Sequence, residues 1–147
     1  MSEKICVTVT RQDKYRFLID FGPGVPQSTG DEPPPLGDGA GPSPEQLLAA
    51  AVANCLSSSF VFAINKFKGD PGRLTATATC ETGRNEMNRL RVTHIKVDIV
   101  LGAPPDQLPH LDRALAQFEE FCTVSQSVRA GVPFAVSVEA PDGRVLK

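Results

Sequence analysis

The side chains in this sequence that could carry out chemistry are chiefly thiols. Four cysteines are spread along the chain, and two histidines, His94 and His110, stand apart from them. No two cysteines have the Cys-x-x-Cys spacing, and zinc sites usually contain such close ligand pairs, so we expect no metal site. In a reducing compartment we expect thiols rather than structural disulfides. The cysteines are Cys6, Cys55, Cys80 and Cys122.

Cys55 lies in the most apolar stretch of the chain, Gly41 to Phe67. This stretch predicts a long central helix over 43–68, because Ser43 can cap its start and Gln46 completes a capping box. Cys55 falls on the apolar stripe of that helix. It is either an inert buried cysteine, which is the common case, or a reactive thiol that the helix carries to a protected pocket.

Cys122 stands just before a short predicted helix, Thr123 to Arg129. Unpaired N–H groups and the positive end of the helix dipole favour a thiolate there, and Ser125 can donate a hydrogen bond to it. The neighbouring carboxylates of Glu119 and Glu120 oppose the thiolate because like charges repel. Cys122 is therefore either a reactive thiol or a helix-boundary cysteine without a chemical role.

The elements around the thiols predict an α+β domain in the order β-β-α-β-β-α-α-β, with an antiparallel or mixed sheet. The first hairpin is expected to pair strands at 4–10 and 15–21. Cys6 and Cys80 lie in alternating strands, where no helix terminus or base would activate them, so we interpret both as structural. The full assignment is a single domain over 1–147, with the hairpin at 1–22, a Pro/Gly-rich loop without regular structure at 23–42, the central helix at 43–68, strands at 73–101, helices at 106–130, and a C-terminal strand and tail at 133–147.

Composition argues against several classes of protein. The chain has 147 residues, 41% hydrophobic and 22% charged, with a formal net charge of −2. It contains no cluster of Lys and Arg interleaved with aromatic residues, so we expect no nucleic-acid partner. The N-terminal sequence lacks the pattern of a signal peptide. The apolar run Leu47 to Phe62 is interrupted by Asn54 and three serines, which makes it too short and too polar for a membrane span. We therefore expect a cytoplasmic protein and no membrane partner.

Two segments resemble one known family. GPSPEQLLAAAVANC, which ends at Cys55, resembles the Pro-x-Glu-x-Leu-Leu-x-Ala-x-x-x-x-Cys signature of the osmotically inducible protein C (OsmC) family. That family includes the organic hydroperoxide resistance (Ohr) proteins. CTVSQSVRAGVP, which begins at Cys122, is similar to the family's second element, a cysteine followed by a short helix and a closing strand. The resemblance covers most of the chain, from Pro42 to Val138.

This resemblance implies a fold, an assembly and a reaction. The implied fold is OsmC-like: an obligate, intertwined homodimer whose sheets wrap around two buried central helices. The implied reaction is that of a thiol peroxidase. Cys55 would attack an organic hydroperoxide, and Cys122 would resolve the sulfenic acid to a disulfide. The resemblance implies no bound cofactor, and a small external dithiol such as dihydrolipoamide would be the reductant.

The resemblance also gives Glu45 a role, since active members use this glutamate to hold an arginine that stabilises the thiolate. Ten residues of helix span about 15 Å, so Glu45 cannot touch Cys55 on its own helix. It must act across a dimer interface or through the arginine. Arg11 and Arg16 are the candidates by position, although neither stands in the family's arginine motif. The segment around them, TRQDKYRFLIDFGPG, resembles less characterised branches of the family.

Two other functions stay open. The chain could be an OsmC-like binding protein whose pocket holds a hydrophobic ligand, with the thiols as packing or as a redox-sensitive latch and without efficient peroxidase turnover. It could also be a thiol-bearing structural protein. We favour the peroxidase because both cysteine motifs occur together, in the family's order.

Overall fold

The computed structural model describes residues 2–147, and Met1, which the predicted hairpin at 1–22 includes, lies outside the described residues. Contacts group the chain into two compact units, with the boundary between Leu48 and Ala49. The prediction of one domain over 1–147 stays a prediction.

A three-stranded antiparallel sheet forms the first unit, in the order β1 (Thr8–Asp13), β2 (Arg16–Asp20) and β3 (Ser28–Gly30). The hairpin is present, but β1 begins later than predicted. The first residue of β1, Thr8, pairs with the last residue of β2, Asp20. After Asp20 the chain turns away at Gly22, whose φ is 104°. Residues before β1 therefore have no further strand residue of β2 to pair with. The hairpin turn is formed at Lys14, where φ is 46°.

The Pro/Gly-rich segment is more ordered than predicted. It contributes β3, so the expectation that it lacks regular structure is wrong for three residues. After β3, the buried Asp31 carboxylate accepts the N–H groups of Glu32 at 2.9 Å, Asp38 at 3.2 Å and Ala40 at 3.1 Å. Gly41 packs against the Thr29 carbonyl so closely that any Cβ would clash. One buried carboxylate thus organises the loop that leads to the central helix.

The central helix, α1, spans Pro44–Lys66. Its predicted capping box is confirmed: the Ser43 N–H donates to Gln46 Oε1 at 2.9 Å, and the Gln46 N–H donates to Ser43 Oγ at 3.3 Å. The helix ends where Lys68 adopts a left-handed conformation, with φ of 62°. One stripe of α1 is buried, namely Val52, Leu56, Phe60, Ala63 and Ile64.

The rest of α1 is unusually apolar for an uncovered surface. Its most apolar 18-residue window has a mean hydropathy of 2.0, and 28% of that window is buried. By length and composition the helix could cross a membrane, so the expectation that this run is too short and too polar is wrong on those criteria. The core helix of a soluble protein passes the same test.

The second unit is built on a mixed sheet in the order β4 (Thr75–Arg84), β5 (Leu90–Val100) and β6 (Phe134–Glu139). The strand β4 runs antiparallel to β5, and β6 runs parallel to it. Alternation along the strands places one face of the sheet in the core, where Ile95, Val97 and Ile99 of β5 are fully buried. A bulge at Thr93 shifts the register, because Glu81 pairs with His94 but Thr82 pairs with Val92.

Two short helices complete this unit, α2 (Leu111–Gln117) and α3 (Thr123–Arg129), after a 3₁₀ turn at Pro105–Gln107. The Phe118 ring is fully buried and packs edge-on against Phe60 of α1, with ring centroids 5.0 Å apart. Phe121 lies beyond the end of α2 and is 66% exposed. The predicted α+β order of elements is confirmed, with β3 as the addition.

Candidate active site

The structure brings two of the predicted site residues together, Cys55 and Cys122. Cys55 is half-buried on α1. Cys122 is fully buried and caps the start of α3 in an extended conformation, with φ of −83° and ψ of 101°. Both are thiols, and their side chains are hydrogen-bonded to each other. The two sulfurs are therefore placed for exchange chemistry with one another.

The surroundings of Cys55 set its ionisation. Burial raises the pKa of the Cys55 thiol, and the hydrogen bond with Cys122 raises it further. The backbone N–H groups of Val124 and Ser125 act in the opposite direction, because they point at the sulfur from the first turn of α3 and favour its anion. The net pKa is raised. With these neighbours alone, Cys55 is a protonated thiol at neutral pH.

The turn before α3 holds Cys122 by its backbone. The Cys122 N–H donates to the Glu119 carbonyl at 3.2 Å, and its carbonyl accepts the Gln126 N–H at 3.0 Å. The buried Ser125 hydroxyl donates to the Cys122 carbonyl at 3.5 Å, so it contacts the backbone rather than a sulfur as the sequence suggested. The carboxylate of Glu119, expected to oppose a thiolate, forms an ion pair with Arg129 at 2.8 Å.

Both candidate arginines lie in the first unit, where each has partners. Arg11 folds back on the hairpin, and its Nε donates to the Lys14 carbonyl at 2.8 Å. Arg16 faces two carboxylates: its terminal nitrogen donates to Asp38 Oδ2 at 3.2 Å, and its Nε lies 3.8 Å from Asp31 Oδ2. The Arg16 Nε is buried and makes no hydrogen bond within residues 2–147.

Glu45 is exposed in the first turn of α1. The role that the resemblance gave it, holding an arginine, stays a prediction. Sequence reasoning did not find Asp31 and Asp38, because they belong to no motif. The one available signal was an acidic residue on each side of the prolines, in a segment whose backbone would otherwise lack partners.

Asp31 is a buried carboxylate whose surroundings favour its charged form. The Ala40 N–H lowers the pKa of Asp31 most, burial acts against it, and the N–H groups of Asp38 and Glu32 and the Arg16 charge lower it further. The net pKa lies below the ordinary value for aspartate. Asp31 also contributes to the wall of a mostly apolar cavity of about 230 Å³. Its other lining residues are Val9, Tyr15, Phe17, Ile19, Gly30, Glu32, Pro44 and Leu47.

Among residues 2–147, no group of three or more His, Cys, Asp or Glu side chains could hold a metal ion.

Comparisons with known proteins point to one family. The family whose description is "OsmC-like protein" matches residues 37–137 of this chain. An OsmC-like protein of unknown function from Vibrio cholerae has a similar structure, with a TM-score of 0.76, 19% identity, and coverage of 93% of this chain and 99% of that chain. An OsmC-like protein from Mycoplasma pneumoniae is also similar, with a TM-score of 0.77, 14% identity, and coverage of 95% of this chain and 99% of that chain.

An organic hydroperoxide resistance protein from Elizabethkingia anophelis is also similar, with a TM-score of 0.71, 19% identity, and coverage of 95% of this chain and 99% of that chain. A search of curated proteins finds no match. At these identities the likeness shows the fold alone, and the predicted OsmC-like α+β fold is confirmed.

Proposed function

Because the chain belongs to the OsmC-like protein family, we propose that it is a thiol-dependent peroxidase that reduces organic hydroperoxides in oxidative-stress defence. The observation that carries the proposal is the hydrogen-bonded pair of Cys55 and Cys122. Two thiols in contact, one half-buried and one fully buried, are what a two-cysteine cycle needs. Within the family, the Elizabethkingia anophelis neighbour bears the name of an organic hydroperoxide resistance protein.

The proposed cycle uses each thiol once. The Cys55 thiolate attacks the outer oxygen of the hydroperoxide, the O–O bond breaks, and the alcohol leaves after taking up a proton. Cys55 is then a sulfenic acid. The Cys122 sulfur attacks the Cys55 sulfur, the S–O bond breaks, and water leaves with the Cys122 proton. An external dithiol of the dihydrolipoamide class reduces the disulfide, and the protein needs no bound cofactor.

The first step requires a cation near Cys55. The N–H groups of Val124 and Ser125 favour the thiolate but do not offset burial, since the net pKa of Cys55 is raised. We take Arg16 or Arg11 as the source of positive charge in the assembled protein, with Glu45 helping to orient it. A guanidinium within about 4–6 Å would lower the pKa of the Cys55 thiol, because an opposite charge favours the anion.

Uncovered apolar surface supports the proposed homodimer. All six residues of β1 are exposed, and so are large side chains around it, including Ile5 at 87%. On α1, Phe62 is 69% exposed. A second copy of the chain would remove such surface from water, at roughly 25 cal/mol per Å². We place this dimer in the cytoplasm, where dithiol reductants are available, and without membrane or nucleic-acid partners.

The decisive experiment follows dithiol-driven consumption of cumene hydroperoxide by purified variants. Cys55→Ser should reduce it at least about a hundredfold, because no other residue would form the sulfenic acid. Cys122→Ser should still be oxidised once and accumulate a sulfenic acid that dimedone traps. Cys6→Ser, which removes an exposed thiol, is the matched control and should be as active as the unmodified protein. Full activity in Cys55→Ser would refute the proposal.

The apolar cavity in the first unit favours a second candidate, a binding protein for a hydrophobic ligand. Its volume of about 230 Å³ suits a small apolar molecule. Native mass spectrometry of the purified protein separates the two functions. A co-purifying ligand, together with hydroperoxide consumption no faster than in Cys55→Ser, would support the binding protein.

A further inference from the structure

A carboxylate with two cationic partners stands beside the turn that carries Cys122. The Glu119 side chain is 15% exposed, and its oxygens contact different cations: Oε1 lies 2.8 Å from Arg129, and Oε2 lies 2.5 Å from Lys147 Nζ. Burial acts to raise the pKa of Glu119, but hydrogen bonds from Lys147 and Arg129 outweigh it, and the pKa is lowered. These three residues are named the carboxylate clamp below.

The backbone of Glu119 holds both sides of the Cys122 turn. Its carbonyl accepts the Cys122 N–H at 3.2 Å and the side-chain amide of Gln126 at 3.0 Å. Gln126 in turn donates its backbone N–H to the Cys122 carbonyl at 3.0 Å. The residue whose carboxylate is clamped is therefore the one that fixes the backbone of Cys122.

The two cations of the clamp connect this turn to distant parts of the same unit. Arg129 lies over the Phe134 ring of β6, 5.2 Å from its centroid. Lys147 Nζ lies over the Phe118 ring at 5.0 Å. Phe118 packs against Phe60 on the helix that carries the other thiol. Movement of the turn would disturb all of these contacts together. An isolated ion pair on the surface would hold the turn less firmly, because such pairs contribute little to stability.

We propose that the carboxylate clamp is a positioning device: it holds the Cys122 thiol beside Cys55 and thereby favours closure of the disulfide. A fixed turn keeps the two sulfurs at a high effective concentration, whereas a loosened turn adds conformations in which they are apart. The role rests on the proposed function only in that the two thiols form a redox pair. Glu119 acts through Cys122 and touches no reacting atom.

The redox equilibrium of the pair with dithiothreitol tests this role without any hydroperoxide. The Cys55 and Cys122 sulfurs form one S–S bond, and two electrons and two protons pass to oxidised dithiothreitol, whose own S–S bond breaks. In Glu119→Gln, which keeps the size and removes the charge, the equilibrium constant for disulfide formation should fall about tenfold, or about 30 mV. Alkylation followed by mass spectrometry measures it on the full chain.

Two further variants make the outcome decisive. Glu120→Gln changes the exposed neighbouring carboxylate and is the matched control, with an expected change under about twofold. Arg129→Gln removes one arm of the clamp, at a side chain that is 40% exposed, and should lower the constant about threefold. If circular dichroism shows that Glu119→Gln does not fold, Arg129→Gln provides the test in its place.

Each result decides something. Three results would overturn the positioning role of the clamp. The first is an equilibrium constant for disulfide formation that is unchanged in the folded clamp variants, and the second is an equal fall of that constant in Glu120→Gln. The third is an unmodified protein in which oxidised dithiothreitol cannot form the disulfide between Cys55 and Cys122. A pair that closes with dithiothreitol, responds to Glu119→Gln and ignores hydroperoxide would refute the peroxidase and support the clamp. An active peroxidase whose redox equilibrium ignores the clamp variants would overturn the clamp alone.

Discussion

Asp31 in the first unit and Cys55 in the second are both ionisable groups that backbone N–H groups contact. The pKa of Asp31 is nevertheless lowered, which favours its anion, whereas the pKa of Cys55 is raised, which disfavours its anion. At Asp31 three N–H groups converge on a buried carboxylate, the Arg16 charge adds to them, and the pKa is lowered. At Cys55 two N–H groups meet a half-buried thiol, burial outweighs them, and the pKa is raised.

The difference shows how many donors an anion needs once it leaves water. A carboxylate spreads its charge over two oxygens, and each oxygen of Asp31 accepts at least one N–H. A thiolate is a weaker hydrogen-bond acceptor, so the same backbone groups favour it less. The N–H groups around Cys55 therefore do not by themselves favour its thiolate at neutral pH. The proposed peroxidase reaction requires a positive charge in addition, for which Arg11 and Arg16 are the proposed sources.

The largest expected effect comes from removing both candidate cations. In an Arg11→Gln and Arg16→Gln double variant, the alkylation rate of Cys55 by iodoacetamide should rise about a hundredfold from pH 6 to pH 8. Below its raised pKa, the thiolate fraction of Cys55 grows about tenfold with each pH unit. In the unmodified protein, a cation near the thiol should level the profile off before the upper pH.

Peptide mass spectrometry of the Cys55 peptide measures this rate separately from the other cysteines. A double variant whose profile levels off near neutrality would break the comparison, because the N–H groups of Val124 and Ser125 would then be sufficient to stabilise the thiolate. Identical profiles for the double variant and the unmodified protein, both still rising at pH 8, would show that neither arginine serves Cys55.

The single variants should show a smaller effect and identify the arginine. Arg16 contacts two carboxylates, Asp31 and Asp38. Within the described residues, the hydrogen bond of the Arg11 side chain is to a backbone carbonyl. We therefore expect Arg16→Gln to slow alkylation of Cys55 about tenfold at neutral pH, the effect of a one-unit change in pKa. Arg11→Gln is the matched control and should leave the rate within about twofold. The reverse result would make Arg11 the cation.

The sequence was informative where local rules decide the structure. The capping box at Ser43 and Gln46, the alternation in β5, and the short helix after Cys122 follow from neighbouring residues, and all three are present. Long-range partners could not be read in this way. The contacts of Glu119 with Lys147 and of Arg16 with Asp38 join residues far apart in the chain, and only the fold determines which charges meet.

The smallest expected effect concerns the other half of the comparison, the carboxylate that backbone groups stabilise. Because the pKa of Asp31 is lower in the folded chain than in the unfolded chain, its contribution to stability is present above the unfolded value, about 3.9, and is lost as the pH falls through the folded value. In Asp31→Asn one oxygen becomes an amide that faces an N–H donor. The unfolding midpoint should fall by about 5 °C at pH 7.

At pH 3 the difference between Asp31→Asn and the unmodified protein should be smaller, since protonation already weakens the native carboxyl. Thermal melts followed by circular dichroism at both pH values measure the two differences. Asp20→Asn is the control for a single such bond, because the half-buried Asp20 carboxylate accepts one backbone N–H, from Gly22 at 2.9 Å. An Asp31→Asn difference that does not shrink on acidification would mean that packing, rather than the charge held by three N–H groups, is what Asp31 contributes to the loop.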